Sequence, residues 1–318
     1  MQQPNADMRE VLGKLASLGG KAIETLEPSE ARRQPTPADA VKALMAAKGI
    51  VAKSTVTTKD VTYPTAGVTQ NARIYTPAGA KGPLPVVLYI HGGGWVIADI
   101  DVYDASPRAL ADAAEAIVVS IEYRHAPEAK FPAAHEDANA AYKWLIDTAA
   151  SWGGDPKRIA VVGESAGGNM AVNVAMTARD KAWTAPRAIV AVYPVANTSP
   201  ETASKKAYAA AQPLNTPMLA WFFKYTLTSP NEAADPRLNL VAANLERLPP
   251  TTIILAEIDP LHDDGLGLAE KLKVAGVPVD VKEYAGMTHE FFGMGAVVAD
   301  AKAALDYAAR QLKVAFSR

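Results

Sequence analysis

The sequence predicts an α/β fold: a mostly parallel sheet covered on both faces by helices, with extra helical pieces over one rim. Three observations lead there. From about residue 86 onward, short runs of Val, Ile and Leu alternate with longer stretches of helical periodicity, the pattern of parallel strands joined by crossover helices. Those runs are apolar throughout, as strands buried on both faces must be. Midway along the chain, Ile159-Ala-Val-Val leads through Gly163-Glu-Ser165-Ala-Gly167-Gly168 into a helical stretch from Asn169 to Met176. A buried strand there turns sharply into a helix at one serine.

Taken in order, residues 1–50 are helical. Met8, Val11, Leu12, Leu15 and Leu18 recur at helical spacing, as do Val41, Leu44 and Met45. Pro28 to Pro37 reads as a loop, and Thr36-Pro-Ala-Asp39 as a helix start, with Pro at the first helical position and an acid at the third. Ser54 to Tyr63 alternates as a strand does, Gln70 to Pro77 follows as a second, and residues 78–85 form a Gly/Pro turn. Val86 to Ile90 is a buried strand, Ala105 to Ala116 a helix, Ala116 to Ile121 a strand and Pro132 to Trp152 a helix. Beyond the Ser165 turn, strands are expected at Ala188 to Tyr193, Thr251 to Ala256 and Val277 to Tyr284. A helix spans Leu261 to Ala275, and another, Ala296 to Val314, closes the chain. Proline and charges in 277–284 mark an edge strand.

Residues 197–245 interrupt this rhythm. They carry no strand signal and include an aromatic run, Met218-Leu-Ala-Trp221-Phe222-Phe223-Lys-Tyr225. An insertion at this point reaches over the C-terminal strand ends, where such sheets bind ligands. It is read as a substrate-covering cap segment between two parts of the core, 51–196 and 246–318. Trp95, Met218, Trp221, Phe222 and Phe223 are the candidate pocket residues.

Composition narrows the function. Of 318 residues, 49% are hydrophobic and 21% charged, with a formal net charge of −2. One large core fits this, and the lack of basic excess argues against nucleic acid or an anionic membrane as partner. No apolar run approaches membrane-spanning length. Without any Cys, disulfides, thiolate metal sites and cysteine nucleophiles drop out together. The polar opening Gln2-Gln-Pro-Asn has no charged-then-apolar leader, which predicts a cytoplasmic protein. His135-Glu136 and His289-Glu290 open like a zinc motif, but Asn139 and Gly293 occupy the second histidine position. His262-Asp263-Asp264 reads as a solvated helix start. No metal and no cofactor is expected.

The candidate chemistry centres on Ser165. Gly-x-Ser-x-Gly between strand and helix is a nucleophile elbow: small residues flank a tight turn that lifts the hydroxyl above the sheet. A serine needs a base within hydrogen-bond reach. His289 follows the strand ending near Tyr284, at the same sheet rim. Asp259 follows the strand Thr251 to Ala256 and is ranked above Asp263 and Asp264 as the acid that orients the imidazole. Asp263 and Asp264 fall in a helix first turn, where acids complement the dipole. His91-Gly92-Gly93-Gly94-Trp95 follows the strand 86–90, and its glycines let backbone amides approach a developing oxyanion.

These segments, with Glu122-Tyr-Arg124-His-Ala-Pro127-Glu128, Phe131-Pro-Ala-Ala, Asp259-Pro-Leu and His289-Glu-Phe-Phe, together resemble the bacterial hormone-sensitive-lipase family of carboxylesterases. The resemblance implies the α/β-hydrolase fold with a helical cap, residues 1–50 forming its N-terminal part and 197–245 its second segment. It implies Ser165 as nucleophile, Asp259 as acid and His289 as base, with the amides of Gly93, Gly94 and Ala166 as oxyanion donors and His91 bracing the loop. A small, short-to-medium acyl ester is the implied substrate, and a homodimer through the edge strand near 279–284 is compatible with the family. Ala98, His125 and Glu164 depart from its usual Gly, Leu and Asp or Thr, which bears on substrate preference. The same apparatus serves amidases, formamidases, lactonases and carbamate hydrolases. The plant gibberellin receptor resembles the family with a broken triad, whereas Ser, Asp and His are all present here.

Overall fold

A computed structural model describes residues 2–79 and 81–318. Met1 and Ala80, the latter inside the turn expected at 78–85, lie outside the described residues. The strands are β1 (Thr57–Thr65), β2 (Val68–Thr76), β3 (Leu84–Ile90), β4 (Ile117–Ile121), β5 (Gly154–Glu164), β6 (Ile189–Val192), β7 (Thr251–Ile258) and β8 (Val279–Thr288). They form one sheet in the order β1-β2-β4-β3-β5-β6-β7-β8. β2 runs antiparallel to both neighbours, and every other pair from β4 to β8 is parallel. The parallel strands therefore end at one common rim, and the three segments that carry the candidate chemistry follow β3, β5 and β7, with His289 directly after β8.

The helices are α1 (Ala6–Ser17), α2 (Pro28–Ala31), α3 (Pro37–Ala47), α4 (Ala105–Ala114), α5 (Ala133–Thr148), α6 (Ala166–Asp180), α7 (Ala203–Ala207), α8 (Thr216–Thr226), α9 (His262–Val274) and α10 (Ala299–Phe316). Period-two alternation divides β3 between two cores: Val86, Leu88 and Ile90 face one apolar layer, and Val87 and Tyr89 the other. Complete burial of these five residues is what a sheet under two helical layers requires. The expected start of α3 takes the form of a full capping box between Thr36 and Asp39.

Four expectations are corrected. The loop read over 28–37 contains α2, a single turn begun by Pro28, whose fixed φ suits a first helical position. The first strand begins at Thr57, three residues later than its alternating pattern suggests. β8 continues through Thr288, so 285–288 is strand, not loop. Gly286 takes φ +68° there, its amide donates to Glu257 Oε2 at 2.6 Å, and the pairing of β7 with β8 shifts register between Ala256 and Ile258. Finally, the start of α9 is not solvated at Asp264. That carboxylate is completely buried, pairs with the nearly buried Lys205 of α7 at 2.8 Å, and accepts the amides of Ala196 and Asn197. Burial pushes its pKa up to about 6 although Lys205 opposes the shift. The pair fastens the 197–245 insertion to the core.

Candidate active site

The turn at Ser165 is built from backbone pressed on backbone. A Cβ at Gly163 would lie 2.1 Å from the Gly167 carbonyl oxygen, and one at Gly167 would lie 2.0 Å from that of Ile90. Only glycine fits either place. Between them Ser165 adopts φ 57°, ψ −117°, a conformation that costs on the order of 1–3 kcal/mol and persists only where the surroundings enforce it. Here the Ser165 amide donates to Val192 O at 2.9 Å, and its carbonyl accepts from Val195 N at 3.2 Å. Ala166 begins α6, so its amide has no acceptor within the helix.

The structure brings the three predicted side chains together. Ser165 Oγ lies 2.9 Å from His289 Nε2, and His289 Nδ1 lies 2.6 Å from Asp259 Oδ2. A carboxylate only accepts, so Nδ1 carries the proton and Nε2 presents a lone pair to the serine hydroxyl. Asp259 is itself held, since Oδ1 accepts the Leu261 amide at 2.8 Å. Burial opposes charge on His289, but the Asp259 carboxylate outweighs it, helped by Glu290 and Glu164, and holds the imidazole above its ordinary pKa. Asp263 instead accepts the Ser204 amide, and Asp264 pairs with Lys205. Neither contests Asp259.

The loop after β3 carries left-handed backbone at Gly93 (φ 92°), Gly94 (φ 56°), Trp95 (φ 63°) and Ala98 (φ 70°). A Cβ at Gly93 would meet Ile97 O at 2.0 Å. Ala98 occupies a conformation that favours glycine, which explains why the resembled family usually has glycine there. Among the described residues, neither the Gly93 nor the Gly94 amide finds an acceptor. His91 Nδ1 bonds to Gly92 O at 2.8 Å and its ring stacks on Tyr123 at 4.4 Å.

Above these groups lies a cleft of about 920 Å³, lined by Ser165, His289, Gly93, Gly94, Met218 and Phe222 among others. Leu12, Leu15 and Ile23 from the first fifty residues also line it. Of the five pocket residues expected from sequence, Met218 and Phe222 face the cleft. Trp95, Trp221 and Phe223 do not. Trp95 is buried against His135 and Phe223, and Trp221 turns away to donate its Nε1–H to Leu26 O at 2.9 Å. On one amphipathic helix, the residues that fix α8 cannot also face the substrate space. Ala98 and His125 line the cleft, whereas Glu164 does not.

Sequence reasoning missed a buried support beneath the site. Tyr89 and Tyr193 both donate their hydroxyls to Glu164, and the Tyr193 ring packs 4.4 Å from the His289 ring. Burial and the neighbouring Glu290 push Glu164 up to about 7. Glu290 takes φ 69°, which turns its carboxylate into the cleft, where it accepts from Tyr103 at 2.6 Å and stands 3.9 Å from His289 Nε2. Adjacency to His289 was the one sequence signal for Glu290. For Glu164 the sequence offers only its departure from the family's usual Asp or Thr, because its tyrosine partners are distant in the chain.

Comparison with known proteins bears on the fold and the family. Residues 87–293 match the family model described as the alpha/beta hydrolase fold. The chain is 35% identical over 287 residues to an ethyl acetate hydrolase of Pseudomonas putida, covering 88% of this chain and 87% of that protein. It is 40% identical over 230 residues to carboxylesterase NlhH of Mycobacterium tuberculosis, covering 71% and 72%. Among solved structures, an esterase of Pyrobaculum calidifontis superposes with a TM-score of 0.87 at 33% identity, over 98% of both chains. A thermostable carboxylesterase cloned from a metagenomic library gives 0.84 at 37% identity, over 92% of this chain and 98% of that one. Fold and site together define an α/β hydrolase. Within that class the chain belongs to the hormone-sensitive-lipase family of carboxylesterases. It is a carboxylic ester hydrolase acting on small-molecule esters. Among the described residues no helix is long and apolar enough to cross a membrane.

Proposed function

We propose that the enzyme cleaves short-to-medium acyl esters through an acyl-enzyme on Ser165. His289 Nε2 removes the hydroxyl proton as Oγ attacks the ester carbonyl, and Asp259 stabilises the imidazolium that forms. The amides of Gly93, Gly94 and Ala166 receive the oxyanion of the tetrahedral intermediate. His289 then gives its proton to the leaving alcohol, and water repeats the sequence on the acyl group. The observation that carries this reading is the unbroken Ser165–His289–Asp259 hydrogen-bond chain, 2.9 Å and 2.6 Å, beside two amides without acceptors among the described residues.

Residues 1–50 and 197–245 act as two segments of one cap. They interlock through Trp221 to Leu26 O, Asn215 to Glu24 and Tyr225 to Glu27, and supply the apolar cleft wall that receives the acyl or alcohol chain. The edge position of β8 suits pairing of two copies, which the molecular mass in solution tests. For the chemistry, p-nitrophenyl esters from acetate to long chains are compared with matched p-nitroanilides. The expected result is kcat/KM peaking at short-to-medium esters, with anilides far slower. Faster anilide turnover, or a maximum at long chains, contradicts the reading.

A further inference from the structure

At the foot of the glycine loop, behind the triad, sit three groups that the hydrolytic mechanism does not use. His91 is fully buried at the end of β3, and Glu122 and His125 follow β4. One ligand atom from each lies within 4.8 Å of the other two. His91 Nδ1 lies 2.8 Å from Gly92 O, which can only accept, and 3.3 Å from the Tyr123 hydroxyl, which itself donates to Gly92 O at 2.7 Å; with the ring proton on Nδ1, Nε2 presents a lone pair. That lone pair points at Glu122 Oε2, 3.6 Å away. His91 Nε2 and His125 Nε2 are both buried without a hydrogen-bond partner among the described residues. Two orphan imidazole nitrogens converging on a carboxylate are costly unless a cation or a proton joins them.

We propose that His91, His125 and Glu122 bind one divalent transition-metal ion of the zinc class, as a brace between the β3 loop and the segment after β4. Two imidazoles and a carboxylate are a borderline donor set suited to zinc, cobalt or nickel and not to calcium or magnesium. Donors on zinc stand roughly 3.4 Å apart, from metal–ligand distances of about 2.0–2.2 Å. The His91–Glu122 pair, at 3.6 Å, is already near that spacing, and all three ligand atoms lie within 4.8 Å of one another. The remaining Glu122 oxygen accepts the Ile100 amide at 2.7 Å, which fixes the carboxylate as an outer hydrogen bond does in metal sites. The nearby cation, Arg32, is paired with Glu128 at 2.7 Å and with the carbonyls of Val96 and Ala126, so its charge is largely spent. Glu122 and His125 reach the cleft, which gives the ion an entry path and a place for a solvent ligand. The site is structural, since the ester is attacked by Ser165 without it. His125 makes it particular to this chain: leucine, usual at this place in the family, has no donor.

The test uses the full-length protein freed of metal by chelator, then titrated with Zn²⁺ or Co²⁺. One equivalent is expected to bind. Zn²⁺ at ~100 times its Kd should raise Tm by about 4 °C, and Co²⁺ should give visible d–d bands that Zn²⁺ abolishes. His125→Leu should lose both signals while unfolding cooperatively, and Glu122→Gln should weaken binding at least ~10-fold, the range seen on losing a metal-site contact. His289→Ala should bind as the parent does. No saturable binding to the parent protein, or stoichiometric binding that survives His125→Leu or is lost in His289→Ala, overturns the proposal and leaves the three groups as a proton-sharing cluster.

Discussion

A methyl group added at Gly163 or Gly167, on the sheet rim, would collide with backbone at 2.1 or 2.0 Å, whereas one added at Gly13, in the helical first fifty residues, would meet nothing within 4 Å. The rim is held by main chain against main chain, with Ser165 clamped in left-handed backbone between Val192 and Val195. The segments above it touch the site through side-chain ends: the Phe222 ring lies so close to Gly94 that a Cβ there would fall 2.3 Å from it. The rim thus fixes where Ser165 and the loop amides stand, and the upper segments bound the cleft above them. On the proposed reading, reaction type belongs to the first region and substrate preference to the second.

Changes at the rim are expected to cost the most. Ser165→Ala should lower kcat by roughly four to six orders of magnitude with the fold intact, since the remaining groups act only with the nucleophile. Steady-state turnover with Tm as control checks this. Gly167→Ala forces the Ile90 carbonyl to move, and overpacking costs roughly 1–3 kcal/mol, occasionally more. A denaturant midpoint unchanged from the parent protein would break the claim that backbone contact sets the rim.

Above the rim the effects are smaller and selective. Phe222→Ala should raise the ratio of hexanoate to acetate kcat/KM about 10-fold, the scale of a hydrophobic pocket's discrimination. A uniform loss on both esters would show that Phe222 supports the loop more than it shapes the cleft. The smallest effect is in the pH profile. His289 must be neutral to accept the serine proton, so kcat/KM should rise with pH. Asp259 holds the imidazole above its ordinary value, so the midpoint should lie above ~6.5. Asp259→Asn should move that midpoint down, and a midpoint that stays put would detach the acid from the base.

The same division governs how much could be read from the chain. The Ser165 turn and the glycine loop are in part local: Gly163 is demanded by Gly167 and Gly93 by Ile97, so spacing exposes them, whereas Gly167 is demanded by Ile90 and Gly94 by Phe222, both remote in the chain. His289 and Asp259 were legible because strand ends fall on a common rim. The cleft wall was not, since the aromatic run 218–225 does not say which ring faces inward, and Trp221 is turned away by a carbonyl at Leu26. Glu164 with Tyr89 and Tyr193, and Asp264 with Lys205, join residues remote in sequence. Buried polar pairs of that kind leave no periodic trace.

Covalent trapping tests the nucleophile most directly. Intact mass and peptide mapping after brief exposure to an organophosphate should find one adduct per chain, on Ser165, forming far more slowly in His289→Ala and absent in Ser165→Ala. An adduct on another residue, or undiminished labelling in Ser165→Ala, would contradict the assignment of Ser165.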